Sequence, residues 1–206
     1  MIKLRLDDSI CDLPLNENQK IVDAINTVLT TLPVNRVVTK LNIDGKRYAP
    51  SHQSQILEES IESFHDVEIM TADRMIWAAT GYDIALSCIE RIQKSILRSA
   101  ELFRESDKLN ANRLFVQCIE GLERFIEALT ITKSVVTIDF TKTFVTGLSL
   151  TQMESDLQKI LNSIFEFQQK EDYQGLADKI EYELVTNLSN WAQALKQLRA
   201  QQNTND

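Results

Sequence analysis

From Ala72 onward the apolar residues of this chain recur at steps of three and four, a period near 3.6 that a chain satisfies by turning one helical face inward. Four helices follow. The first runs from about Arg74 to Phe103 on a stripe of Trp77, Ile84, Ala85, Cys88, Ile92, Ile96 and Phe103. The second, about Lys108 to Thr130, carries Phe115, Cys118, Ile119, Leu122, Phe125, Ile126 and Leu129. The third opens with Thr151-Gln-Met-Glu154, a capping-box pattern, and continues through Leu157, Ile160, Leu161, Ile164 and Phe165. The fourth starts near Tyr173 and bears Leu176, Ile180, Leu184, Leu188, Trp191, Leu195 and Leu198. The turns 104–110 and 168–175 are short and polar, so each pair of helices should close into an antiparallel hairpin. The expectation is a mainly antiparallel four-helix bundle over 72–200, with a polar, disordered tail at 201–206.

The texture before Thr71 is different. Ile2, Leu4 and Leu6 alternate with Lys3, Arg5 and Asp7, the period-two signature of a strand with one buried face. A helix over Ile21, Val22, Ile25, Val28, Leu29 and Leu32 follows, with Asn16 or Asn18 as cap and Pro33 as stop. The stretches 36–43 and 46–48 flank Asp44-Gly45, a dipeptide that tolerates the positive φ angles of a two-residue hairpin turn. Ser51 to Phe64 reads as a second helix and 67–71 as a closing strand. The order is therefore β-α-β-β-α-β, a small α/β domain over 1–71 that is ferredoxin-like or, with a weak second helix, ubiquitin-like. The fold class is α+β.

Charge narrows the partners. The chain has 22 basic and 30 acidic residues, a net charge of −8, and no clustered Lys and Arg. Through Thr71 there are 7 basic against 11 acidic residues and beyond it 15 against 19, so neither half holds a basic module for nucleic acid. The start alternates rather than forming an apolar signal core, and no apolar run is long enough to span a bilayer, so the sequence points to a cytoplasmic protein with no membrane partner. Cys11, Cys88 and Cys118 are far apart and lack metal-ligand spacing, and the expectation is reduced thiols with no metal and no cofactor. Cys88 and Cys118 lie on apolar stripes, where cysteine serves as a small hydrophobe.

Three features invite a chemical reading. Asp178, Glu181 and Glu183 crowd three carboxylates into six residues, but position 178 lies opposite the stripe 176, 180, 184, 188 and the other two lie on its flanks, so they read as a solvated face. Glu62 and His65 have the Glu-x-x-His spacing of di-iron bundles without the second motif or the two further glutamates such a site needs. No nucleophile elbow, Gly-x-Gly or Walker pattern occurs, and the chain reads as non-enzymatic. The connection 131–150 is the third feature. Ile138, Phe140, Phe144 and Val145 are too apolar for a solvated loop, so the segment either packs on its own bundle or lies over a groove that accepts a partner helix or strand. Trp77, Tyr82 and Trp191 divide in the same way between core and contact.

The segments 107–129 and 161–191, each a helix with a charged turn and a second amphipathic helix, the latter ending at Trp191, resemble the bacterial flagellin-export chaperones of the FliS type. The resemblance implies a small antiparallel bundle without catalysis whose hydrophobic grooves hold an aggregation-prone helical client. That family lacks an N-terminal α/β domain and a strap like 131–150. The sequence thus predicts an interaction or chaperone-like adaptor that holds a protein partner through an apolar groove on the bundle, with a homodimer left open. The alternative is a small-molecule sensor or enzyme using the crevice between the domains.

Overall fold

The computed structural model describes residues 3–7, 9–10, 19–48, 56–136 and 138–202. The protein is mixed α and β, with a five-stranded N-terminal sheet followed by long helices. It divides into two compact units, Met1–Ala78 with Ser134–Val136, and Ala79–Lys133 with Thr137–Asp206.

The sheet unit contains β1 (Lys3–Leu6), β2 (Ser9–Ile10), α1 (Ile21–Thr31), β3 (Arg36–Ile43), β4 (Lys46–Tyr48) and β5 (Asp66–Asp73). Its strand order is β2-β1-β5-β3-β4. β1 and β5 run parallel at the centre, with Leu4 beside Val67 and Leu6 beside Ile69, and the remaining pairs are antiparallel. The Asp44-Gly45 turn forms as its residue types require, with φ of 49° and 79°. Asp44 also accepts from the backbone N–H groups of His65 and Asp66 at 2.9 and 2.8 Å, which fixes the start of β5 against the hairpin.

Two parts of the expected β-α-β-β-α-β order are corrected. A strand is added: Asp7 turns back with φ of 47°, and β2 pairs with β1. The second helix is lost. Within 56–64 there are two 3₁₀ turns, Ile56–Glu58 and Ile61–Ser63, while 51–55 lie outside the described residues. The reason is hydrogen bonding: Ile61 N–H donates to Gln19 O at 2.8 Å and Ile21 N–H to Glu59 O at 3.1 Å, so this segment pairs with the chain entering α1 instead of building an α ladder. Among the described residues the sheet therefore lacks the second crossover helix of a ferredoxin-like split. α1 stops before Pro33 with Leu32 extended, as the residue before a proline prefers, whereas Lys20 occupies its N-cap and the expected caps Asn16 and Asn18 lie outside the described residues.

The helical unit holds most of α2 (Arg74–Arg104) and of α3 (Lys108–Val135), then α4 (Leu150–Gln169), α5 (Tyr173–Lys179) and α6 (Val185–Gln202). A π turn, Ile180–Leu184, joins α5 to α6. Neighbouring helices run antiparallel. Ser99 Oγ donates to Ala111 O and Cys118 lies against Ile92 O, so α3 returns along α2. Gln93 meets Ser189 while Asp83 meets Arg199, so α6 also runs against α2. Asn187 reaches Met153 across α4 and α6. All these helices share one core, in which Phe125 packs edge-on to Trp191 with ring centroids 5.9 Å apart.

Two boundaries differ from the expected ones. α3 continues to Val135 because Thr132 is buried and returns its hydroxyl to Ala128 O at 2.7 Å, beside Gly81, where a side chain would collide with it. The capping box belongs to Ser149 and Gln152, not Thr151 and Glu154: Gln152 N–H donates to Ser149 Oγ at 3.2 Å and Ser149 N–H to Gln152 Oε1 at 2.8 Å. Ser149 is the last residue of a short hairpin, β6 (Phe144–Val145) and β7 (Leu148–Ser149), turned by Thr146 and Gly147 with φ of 53° and 83°. The hairpin's extended backbone ends where the helix begins, and this selects Ser149 as the cap. The first two residues of the expected tail, Gln201 and Gln202, instead continue α6, and 203–206 lie outside the described residues.

Candidate functional site

The described residues of the connection between α3 and α4 are closely held. Asp139 organises its first turn, accepting from Thr141 N–H at 3.0 Å and from Thr141 Oγ1 at 2.5 Å, and the hydroxyl bond leads the interactions that hold its carboxyl below the usual range. Phe140 is buried with Lys133 Nζ 4.5 Å from its ring centre, and Phe140 O accepts from Thr151 N–H. Val145 is buried and Ile138 half-buried against the same core. Phe144 alone of the four turns outward, 62% exposed. Tyr82 and Trp191 are buried in the core of the helical unit, and Trp77 is half-buried in the first turn of α2. Of the seven residues expected at a partner surface, four (Phe140, Val145, Tyr82 and Trp191) hold the helical unit together, and Phe144 is presented to solvent.

The three crowded carboxylates are at the surface but engaged. Asp178 and Glu181 both pair with Arg104 of α2, at 2.7 and 2.5 Å, and Glu183 pairs with Lys179 at 2.6 Å. The hydrogen bonds that Arg104 donates to Asp178 and then to Glu181 raise its pKa. Arg104 is the residue that reading α5 alone misses. It lies in the last turn of α2, and only the antiparallel packing of α2 against the α5–α6 rod brings it there. His65 is almost fully exposed beside Asp44 at 3.6 Å. No group of three or more His, Cys, Asp or Glu residues able to hold a metal ion occurs among the described residues. Cys88 and Cys118 are free and buried, and burial pushes the Cys118 thiol up to about 11; Cys11 lies outside the described residues. No helix among the described residues is long and apolar enough to cross a membrane.

The π turn is where the helical unit departs from regularity. Val185 N–H donates to Ile180 O, five residues back, which widens the helix locally. Thr186 and Ser189 return their hydroxyls to the carbonyls of Tyr182 and Val185, each at 2.8 Å, a back-bonding that favours bending. Beside this turn lies a cleft of about 300 Å³ lined by Leu148, Asp156, Lys159, Ile160, Tyr182, Glu183, Thr186, Asn187 and Asn190.

Each wall has a distinct origin. The β6–β7 hairpin supplies Leu148, α4 supplies Ile160 and the Lys159–Asp156 ion pair at 3.2 Å, and the π turn supplies Tyr182, 66% exposed. Asn187 is buried and donates its amide to Met153 O at 3.3 Å, while its own carbonyl oxygen has no donor among the described residues. A buried amide with half its hydrogen bonding unused is uncommon, because desolvating it costs free energy that a partner would offset. The cleft is thus amphipathic: two aliphatic side chains and an exposed aromatic one surround polar and charged groups. A tyrosine offers an apolar ring and a polar tip with few rotatable bonds, which suits contact with another chain.

The family comparison covers the same helices. Residues 85–194, just over half of the chain, match the family described as "Domain of unknown function (DUF8042)", and the chain belongs to that family. No curated protein and no solved structure matches it.

Proposed function

We propose that the helical unit, read as an antiparallel four-helix bundle, is a non-enzymatic protein-binding module that grips a segment of a partner in the cleft beside the π turn. The observation that carries this reading is Tyr182, 66% exposed at the rim of a cleft whose other walls bring the aliphatic Leu148 and Ile160 together with polar side chains. Tyr182, Leu148 and Ile160 grip the partner's apolar side chains, and the polar residues of the lining meet its backbone. Phe144, on the hairpin that also provides Leu148, extends the contact beyond the cleft. The sheet unit, with its β2-β1-β5-β3-β4 order, is read as a ubiquitin-like grasp domain carried by the same chain.

The test is quantitative capture from the native host with four proteins: wild type, Tyr182→Ala, Phe144→Asp and Phe165→Ala, the last an exposed aromatic outside the cleft. Wild type and Phe165→Ala should enrich the same partner. Tyr182→Ala should recover it about tenfold less, the loss expected when an anchoring side chain worth roughly 1.4 kcal/mol is removed. Equal enrichment by all four proteins would rule the cleft out.

A further inference from the structure

A second concavity lies between α2 and α3, about 200 Å³, lined by Cys88, Arg91, Ile92, Ser95, Gln117, Cys118, Glu120, Gly121 and Arg124. Its floor is close helix packing. A side chain at Gly121 would meet Ile92 Cγ1 at 2.8 Å, so the glycine lets the two helices approach. The buried Cys118 thiol is not a nucleophile at neutral pH, which leaves the rim to carry any chemistry.

That rim is cationic in an acidic chain. Elsewhere in the helical unit Arg98 pairs with Glu101, Arg104 with Asp178 and Glu181, and Arg199 with Asp83, while Arg113, exposed on α3, has no hydrogen-bond or ion-pair partner among the described residues. Arg91 makes only a bond from Nε to Ser87 O of its own helix at 3.3 Å, and Arg124 has no hydrogen-bond or ion-pair partner among the described residues. What distinguishes Arg91 and Arg124 from the likewise unpaired Arg113 is that they share one concavity, on neighbouring helices of a chain with 30 acidic residues against 22 basic ones. Ser95 and Gln117 add an uncharged hydroxyl and an amide, and Glu120 is the single acid in the lining. Guanidinium groups present a planar fork of N–H donors matched to oxyanions.

We infer that this cleft binds a phosphate group, held by Arg91 from α2 and Arg124 from α3 with Ser95 and Gln117 as neutral donors. The site is separate from the cleft beside the π turn and does not depend on the partner reading. Its chemistry accepts either free phosphate or a phosphomonoester on another molecule, and two probes distinguish these sources.

The experiment is an NMR titration of the full chain with inorganic phosphate and, separately, O-phospho-L-serine, with chloride at equal ionic strength as control. Saturable shifts should centre on the amides of Arg91, Ser95, Gln117 and Arg124. Tighter binding of phosphoserine assigns the site to a modified protein, and tighter binding of inorganic phosphate assigns it to the free ion. Arg91→Gln and Arg124→Gln should each weaken binding about tenfold, as expected for losing a charge-assisted contact. Glu120→Gln should tighten it by about twofold to fivefold, by removing an exposed like charge. No saturable shift, an equal response to chloride, or an unchanged affinity in the Arg91→Gln/Arg124→Gln double variant would overturn the assignment.

Discussion

Among the described residues the core cluster of the sheet unit is Leu4, Ile21, Ala24, Val28, Leu41, Ile43, Ile61, Val67 and Ile69, all aliphatic, whereas the helical unit buries Tyr82, Phe103, Phe115, Phe125, Phe140 and Trp191 along with its aliphatic residues. The sheet unit compensates with polar ties. Asp7 accepts from Thr71 N–H and Thr71 Oγ1, each at 2.6 Å, and from Arg36 at 2.7 Å, joining the β1–β2 turn to β3 and β5. Arg5 spans Asp66 and Glu68, and Asn42 donates to Glu68 at 2.9 Å, a polar row across β1, β5 and β3. The helical unit has surface ion pairs too, but its register is set by large rings and by Gly81 and Gly121, where only glycine fits. A small aliphatic core leaves strand register to directional bonds, while a large aromatic core fixes helix register by shape.

The most disruptive way to break this contrast is Trp191→Ala. It removes the ring that packs on Phe125 at the centre of the helical core and should destabilise that unit by about 3–5 kcal/mol. Hydrogen exchange should show the loss across α2 to α6 and little change in α1 and β1–β5. Uniform loss over both units would mean that they unfold as one.

Asp7→Asn should act on the other side of the comparison, costing the sheet unit about 1 kcal/mol once screening of a partly exposed carboxylate is allowed for. Its pH dependence has a defined sign. Burial pushes the Asp7 pKa up, but the hydrogen bonds from Thr71 and Arg36 outweigh it and hold the carboxyl below its usual 3.8. The group therefore contributes stability that is present above 3.8 and lost as the pH falls through the lower folded value. Asp44 and Asp73 are lowered as well, the first mainly by the backbone N–H of Asp66 and the second mainly by that of Ile76. Chemical denaturation between pH 5 and pH 2, followed by the sheet amides, should show a weaker acid loss in Asp7→Asn than in wild type.

Those bonds were not legible in the sequence. Asp7 tolerates positive φ but has no glycine beside it and only the two-residue β2 after it, and Thr71 and Arg36 are distant along the chain, so β2 goes unseen. Asp44-Gly45 was legible because a two-residue hairpin turn needs those residue types, and the long helices were legible because their stripes persist. The start of α4 was ambiguous by chemistry: Ser149–Gln152 and Thr151–Glu154 both fit a capping box, and the preceding hairpin decides. The π turn did leave a trace. Leu176, Ile180, Leu184 and Leu188 advance in successive steps of four, which on a regular α-helix would drift by about 40° per step, and a widened turn absorbs that drift. The cleft was not legible, since it needs the hairpin, α4 and the π turn together.

Ser149→Ala should cost about 1 kcal/mol and fray the first turn of α4, read as faster amide exchange from Leu150 to Met153. The two phenylalanines of the connection should part company: Phe140→Asp places a carboxylate in the buried site beneath Lys133 and should destabilise the helical unit, whereas Phe144→Asp should stay within about 0.5 kcal/mol of wild type. Phe144→Asp is therefore the clean variant for binding experiments.

The most direct measurement is site-specific photo-crosslinking in the native host from a benzoyl group placed at position 182 and, in parallel, at position 165. One discrete adduct should form from 182 and disappear when Leu148→Asp is added to the opposite wall of the cleft, and no such adduct should form from 165. The same adduct from both positions, or one from 182 that persists in the Leu148→Asp protein, would contradict a partner site beside the π turn.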